Sequence, residues 1–187
     1  IVLGVGLANA DGLTGGLLHI VNHAFMKGCL FLVAGAIVYR TGIREIRGLR
    51  NLSVKMPWTA GAFTVSAFSM IGIPPTCGFF SKLYLILGAI ESEQWFFVAV
   101  ILFSTALALV YYANVIRYIY FPREEHVTGP DNSGGASDLS GLTRHEVPPT
   151  MLVPTVLLAV GVILLGLFNG EVVSQFLVPV IPESFLR

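Results

Sequence analysis

The sequence predicts an all-α polytopic membrane protein, on three observations. Only 12% of its 187 residues are charged and 55% are hydrophobic, where an ordinary soluble domain carries about 25% charge. Its mean hydropathy is +0.78. Several apolar stretches reach about 18 residues or more, the length a helix needs to cross a bilayer. These runs are continuous, whereas a β-barrel would show short alternating segments. The formal net charge is zero, so nothing global points to a nucleic-acid partner.

The expected architecture is about four transmembrane helices plus a truncated one at the N-terminus, forming one membrane domain over 1–187. Ile1 through Leu7 is apolar, lacks an initiator methionine and has no basic leader. It is too short to span and unlike a signal peptide, so it reads as the end of a cut helix and the chain as a C-terminal portion. Asn9-Ala-Asp-Gly12 reads as a turn. A helix follows over about 14–39, then a polar loop over 40–56. Pro57 suits the first turn of the next helix, which runs to about residue 90 but contains Gly72-Ile-Pro-Pro-Thr76. Proline removes a backbone donor and clashes with the preceding turn. Gly72, Pro74 and Pro75 therefore predict two half-helices, about 57–73 and 76–90, around an unwound segment. Glu91-Ser-Glu93 is a short connection to a helix over about 94–121. Residues 122–148 are polar with Gly-Pro and Asn-Ser-Gly-Gly turns, a loop pattern. A last helix is expected over about 149–168, and the half-apolar tail 171–187 is expected to lie along the membrane surface.

Lysine and arginine counts set orientation. Arg40, Arg44, Arg47, Arg50 and Lys55 lie in one loop, and Arg117, Arg123 and Arg144 flank the later polar loop. The turns at 10–13 and 91–93 have none. The alternation is consistent if the broken helix is one crossing, with both basic loops cytoplasmic.

Lys27 and Lys82 sit inside apolar runs that hold no Asp or Glu. An ammonium inside a spanning segment costs on the order of several kcal/mol unless it meets a partner or a wet cavity, so each is a functional-site hypothesis. Lys27 closes a row with His19 and His23 at four-residue steps. Residues four apart share a helix face, separated by about 6 Å along the axis, a gap that one water per step can bridge. Histidine titrates near neutral pH, so the row can hold and release protons, with Asn22 placed to orient water. Lys82 follows the proline break. Broken membrane helices are tolerated where they are buried or line a wet cavity, and they mark ion sites in transporters. Backbone carbonyls freed near Ile71 and Gly72 could hold water or a cation.

Bland readings stand beside these. His19 and His23 have zinc spacing, but a catalytic site wants a third ligand, and no carboxylate lies between them. The histidines can serve as helix-bonding groups, Lys27 can snorkel, and the prolines can make a packing kink. Cys29 and Cys77 fit small buried hydrophobes. No nucleotide loop, haem motif or iron–sulfur cysteine set is present, so no cofactor and no redox catalysis are expected within this chain. Any counter-ion for the two lysines is expected from other helices or another subunit.

Three segments carry a resemblance. Leu18-His-Ile-Val-Asn-His-Ala-Phe-Met-Lys-Gly-Cys-Leu-Phe-Leu-Val-Ala-Gly-Ala36, Met56-Pro-Trp-Thr59 and Gly72-Ile-Pro-Pro-Thr-Cys-Gly-Phe-Phe-Ser-Lys-Leu-Tyr-Leu85 resemble the antiporter-like membrane subunits of respiratory complex I, membrane-bound hydrogenases and Mrp-type cation/proton antiporters. Ile-Pro-Pro-Thr and Tyr39-Arg-Thr-Gly42 look closest to the D-type component of Mrp antiporters. The resemblance covers roughly 1–170. It implies a fold of about fourteen helices built from inverted repeats, each with a broken helix, of which this chain supplies much of the second. It implies that His19, His23 and Lys27 match the central hydrophilic axis and Lys82 the broken-helix lysine, where some relatives carry Glu. The first repeat, with its Glu–Lys pair, is not in this sequence. The implied function is proton and sodium translocation in a multi-subunit complex of the cell membrane. A proton-pumping subunit of an NADH-quinone oxidoreductase or hydrogenase is the first alternative, and a structural membrane subunit without an ion path the second.

Overall fold

The computed structural model describes residues 1–121 and 146–181. Within them the chain is helical. A short α1 (Val2–Gly6) leads into α2 (Ala10–Thr41), 32 residues long. Its start lies ahead of the expected residue 14, because Asn9 caps rather than turns: its Oδ1 accepts from Gly12 N–H at 2.8 Å, and Asp11 places negative charge in the first turn. Both are helix-start devices. The basic loop holds a turn at Ile46–Leu49 and the short α3 (Leu52–Lys55). The broken helix is α4 (Pro57–Ile71) and α5 (Cys77–Glu91), 15 residues each. Pro57 stands in the first turn as expected. Then come α6 (Trp95–Tyr120) and α7 (Pro149–Leu167), close to their expected bounds. Helical turns, beginning with α8 (Asn169–Val172), continue over 169–180. The expected polar loop falls outside the described residues over 122–145, as does the tail beyond 181.

By length and composition α2, α6 and α7 can each cross a membrane. The fourth expected crossing is α4 and α5 taken together, as their order of contact with α2 shows. Cys29 Sγ lies 3.7 Å from the Ala62 carbonyl of α4. Asn22 Nδ2 donates to the Cys77 carbonyl at 2.8 Å, and His19 Nδ1 meets Ser81 Oγ at 3.0 Å. Asn9 Nδ2 donates to the Gly88 carbonyl at 2.7 Å. As the α2 number falls the partner's number rises, so the two halves make a single antiparallel traverse of α2. At 1.5 Å per residue α2 is about 48 Å long, and Asn22, beside the break, lies about 18 Å from its start. The break thus sits at hydrocarbon depth.

Gly72 ends α4 at φ +94, a left-handed conformation that glycine adopts without strain. The Pro74–Pro75 bond is cis. α7 closes over the break: a Cβ on Gly166 would run into the Pro75 carbonyl. The main core joins Cys29, Val33, Ala36, Met56, Ala60 and Ile119, and a second cluster of Met26, Cys77 and Val162 packs beside the break. α6 buries only Val115 and Ile119. Many of its large side chains, Phe96, Phe103 and Val110 among them, face outward. α4 receives its N-terminal cap from far along the chain. The Glu146 carboxylate accepts from Trp58 N–H at 2.7 Å and from Thr59 Oγ1 at 2.8 Å.

Two stability outcomes follow. Glu146→Ala removes that cap and should lower stability by about 1 kcal/mol, read as a lower melting temperature of the full-length subunit; an unchanged melt would show that the contact contributes nothing. Gly166→Ala should cost about 1–3 kcal/mol through overpacking. Gly170→Ala, whose added Cβ meets nothing within 4 Å, should be tolerated in the same melting assay.

Candidate functional site

The break leaves the last carbonyls of α4 and the first amides of α5 without intrahelical partners, at a depth with no bulk water. The sequence supplies partners from three directions. Ser69 Oγ accepts from Gly78 N–H at 3.0 Å, and Thr76 Oγ1 donates to the Ile73 carbonyl at 2.7 Å. Asn22 reaches across from α2 to Cys77. Lys82 folds back from α5 and donates to the carbonyls of Met70 at 2.9 Å and Ile71 at 3.0 Å, and to Thr105 Oγ1 of α6 at 3.1 Å. The carbonyls freed by the break accept from the chain's own lysine. All three of those partners are neutral, and the partial negative charge of a helix C-terminus favours the ammonium. None of these three contacts is the counter-ion expected from another helix or subunit.

His19 is half-buried and joins this group through Ser81, the residue before Lys82. Ser81 Oγ donates to the Gly78 carbonyl at 3.2 Å. The contact with Ser81 engages His19 Nδ1 and leaves Nε2 as the open ring nitrogen, with the donor set by the tautomer. The His23 ring centroid stands 5.7 Å from that of His19, tilted by 42°. Lys27 shares the helix face, but its ammonium lies 6.0 Å from the centroid of Phe31, a ring that is 72% exposed. His19 and Lys82 thus make separate contacts at neighbouring positions of α5, His23 stands beside His19, and Lys27 lies at the outer edge of the row. Asn22 is fully buried, and its Oδ1 has no partner.

Other expected features take quieter places. Cys29 and Cys77 are buried and free; Cys77 Sγ lies 3.5 Å from Ser69 Oγ. Among the described residues no group of three His, Cys, Asp or Glu could hold a metal. A 450 Å³ groove between α4 and α7 is lined by apolar side chains such as Trp58, Val65 and Val160, and includes none of the row. Sequence reasoning missed Ser81 and Thr105. Thr105 left one available signal, since Ser104-Thr105 is a hydroxyl pair inside an otherwise apolar stretch.

Known proteins share this fold. A family described as NADH:quinone oxidoreductase/Mrp antiporter, TM, matches residues 1–108. The chain is 42% identical over 189 residues to an NADH-quinone oxidoreductase subunit N of Desulforudis audaxviator, covering 97% of this chain and 36% of that protein. It is 35% identical over 125 residues to the D-type component of a Na(+)/H(+) antiporter from Alkalihalophilus pseudofirmus, covering 67% of this chain and 25% of that one. Among solved structures, a chain of the Mrp complex from Dietzia superposes with a TM-score of 0.73 at 28% identity, over 90% of this chain and 37% of its own. The chain therefore spans about a third or less of the length of these relatives. Helices of spanning length, a break at membrane depth and a family match over more than half the sequence agree: the protein is an all-α polytopic membrane protein and belongs to the NADH:quinone oxidoreductase/Mrp antiporter transmembrane family.

Proposed function

We propose that this chain forms part of an ion-translocating subunit in a multi-subunit complex of the cell membrane, and that protons move along His23, His19 and Lys82, with Lys27 at the outer edge of the path. The observation that carries this reading is that both groups sit on the helix break, Lys82 on the α4 carbonyls and His19 on Ser81, the chain neighbour of Lys82. A neutral His19 can take up a second proton at its free ring nitrogen and give it up again there, while the Ser81 contact holds the ring. Lys82, once protonated, is held by the Met70 and Ile71 carbonyls; once neutral, it gains little from them and is free to swing. That difference lets the charge state of Lys82 decide where its side chain rests.

Two settings share these residues. The Ile-Pro-Pro-Thr and Tyr39-Arg-Thr-Gly42 wording fits a cation/proton antiporter of the Mrp type, in which proton influx would drive sodium export. The 42% identity to a subunit N over nearly the whole chain favours an NADH-quinone oxidoreductase setting, in which redox chemistry on other subunits would drive the pump. A structural subunit without an ion path remains the rival of a different class.

Transport in vesicles carrying the full-length subunit in its native complex separates these. Lys82→Ala should cut proton translocation about tenfold or more with assembly intact, as expected when a positioned proton carrier is lost. Full activity in that variant would reduce the break to architecture. Sodium dependence of the wild-type flux selects the antiporter, and NADH dependence the redox pump. Ser81→Ala, which cuts the His19 link, should slow transport by about an order of magnitude, while Ser104→Ala on the exposed side of α6 should leave it unchanged.

A further inference from the structure

We infer that the Met70 carbonyl, the Ile71 carbonyl and the Thr105 hydroxyl form a seat for a free monovalent cation of potassium size, which Lys82 occupies with its ammonium in the present conformation. The inference deepens the reading above, because it names a ligand for the place Lys82 holds. It is tested by binding, so it can fail while the transport reading stands.

The three oxygens surround the ammonium at 2.9, 3.0 and 3.1 Å. They come from two elements, α4 and α6, so the seat is not a by-product of the helix end alone. Ammonium and potassium ions are similar in size, and backbone carbonyls that replace a hydration shell are what a potassium ion accepts. Sodium would need the oxygens to close in, and two of the three are fixed by α4. Main-chain carbonyls at an unwound helix end are also the groups that hold cations in membrane transporters. When Lys82 leaves, these carbonyls cannot go unpaired at membrane depth without cost. Gly72 leaves room for the exchange. A Cβ there would stand 3.3 Å from Lys82 Cδ and 3.7 Å from its Nζ, crowding the stem of the lysine as it moves. The seat thus alternates between a tethered cation and a free one, and the two exclude each other.

The test uses the full-length subunit in its complex. Lys82→Ala empties the seat, and its melting temperature should rise saturably by about 2 °C in potassium chloride over choline chloride at equal ionic strength, with a smaller rise in sodium chloride. The wild type should show no such rise, and Lys82→Ala combined with Thr105→Val should lose it. A rise no larger in potassium than in sodium or choline overturns the seat, as does one that survives Thr105→Val. Should Lys82→Ala fail to assemble, the wild-type protein decides. A membrane-permeant amine reagent, read at Lys82 by mass spectrometry, should label it about twofold faster in potassium than in choline, because the free ion displaces the tethered one. Equal labelling rates overturn the proposal.

Discussion

The Lys82 ammonium resting on the carbonyl end of α4 is the contact on which the rest of this structure depends. Each partner is untenable alone. An ammonium at hydrocarbon depth without a countercharge is expelled or loses its proton, and helix-end carbonyls at that depth without donors are equally costly. Together they satisfy one another, at 2.9 and 3.0 Å. The contact requires α4 to stop at Ile71, which Gly72 and the Pro74–Pro75 pair enforce. It also requires α5 to return close enough for a residue in its second turn to reach back. The neighbours serve the same end: α6 brings Thr105, α2 brings Asn22, and α7 offers Gly166 so that the Pro75 carbonyl can lie against its backbone.

α2 is the spine that brings the titratable row to this contact. Its core-facing stripe runs Leu18, Asn22, Met26, Cys29, Val33 and Ala36. A strict four-residue repeat drifts by about 40° per step around a helix of 3.6 residues per turn. The stripe corrects that drift with the three-residue steps from Met26 to Cys29 and from Val33 to Ala36. The row His19, His23, Lys27 makes no such correction. It begins against Ser81 and ends with an ammonium beside the outward-facing Phe31. The row therefore has two unlike ends, one tied into the break and the other open to whatever packs against α2.

The fold was legible where a single residue controls the backbone. Pro57 and Pro149 start helices, and Gly72-Ile-Pro-Pro marks the break to within a residue or two of the observed bounds. Asn9 misled because Asn-Ala-Asp-Gly has turn composition, while asparagine with an acid in the following turn is also a helix cap. The site was half legible. Lysine and histidine in apolar runs stand out by cost alone, and His19, His23 and Lys27 share one face of α2 as their four-residue spacing requires. Of the groups that touch them, only the carbonyls at the end of α4 were announced, by the proline break. Ser81, Thr105 and the carbonyls of Met70 and Ile71 are ordinary residues or main chain. They matter only because the fold carries them to within 3.1 Å of a charged or titratable group. Glu146, capping α4 from 88 residues away, was hidden for the same reason.

The exposed surface shows why the proposed path needs more than these helices. α6 presents most of its length outward, and Phe31 at the Lys27 end of the row is open. An apolar side chain there is at home against lipid, but the Lys27 ammonium beside it is not. With Lys82 the countercharge comes from a helix end. Among the described residues no comparable contact is made at Lys27, whose ammonium meets an aromatic face at 6.0 Å, worth about 0.5–2 kcal/mol. That falls short of what an ammonium in hydrocarbon requires. In the proposed path the outer flank of α2 is therefore the place for a polar or acidic group from outside these helices, and the two lysines differ in their surroundings. Lys82 is stabilised by the chain's own break, and Lys27 waits on a neighbour.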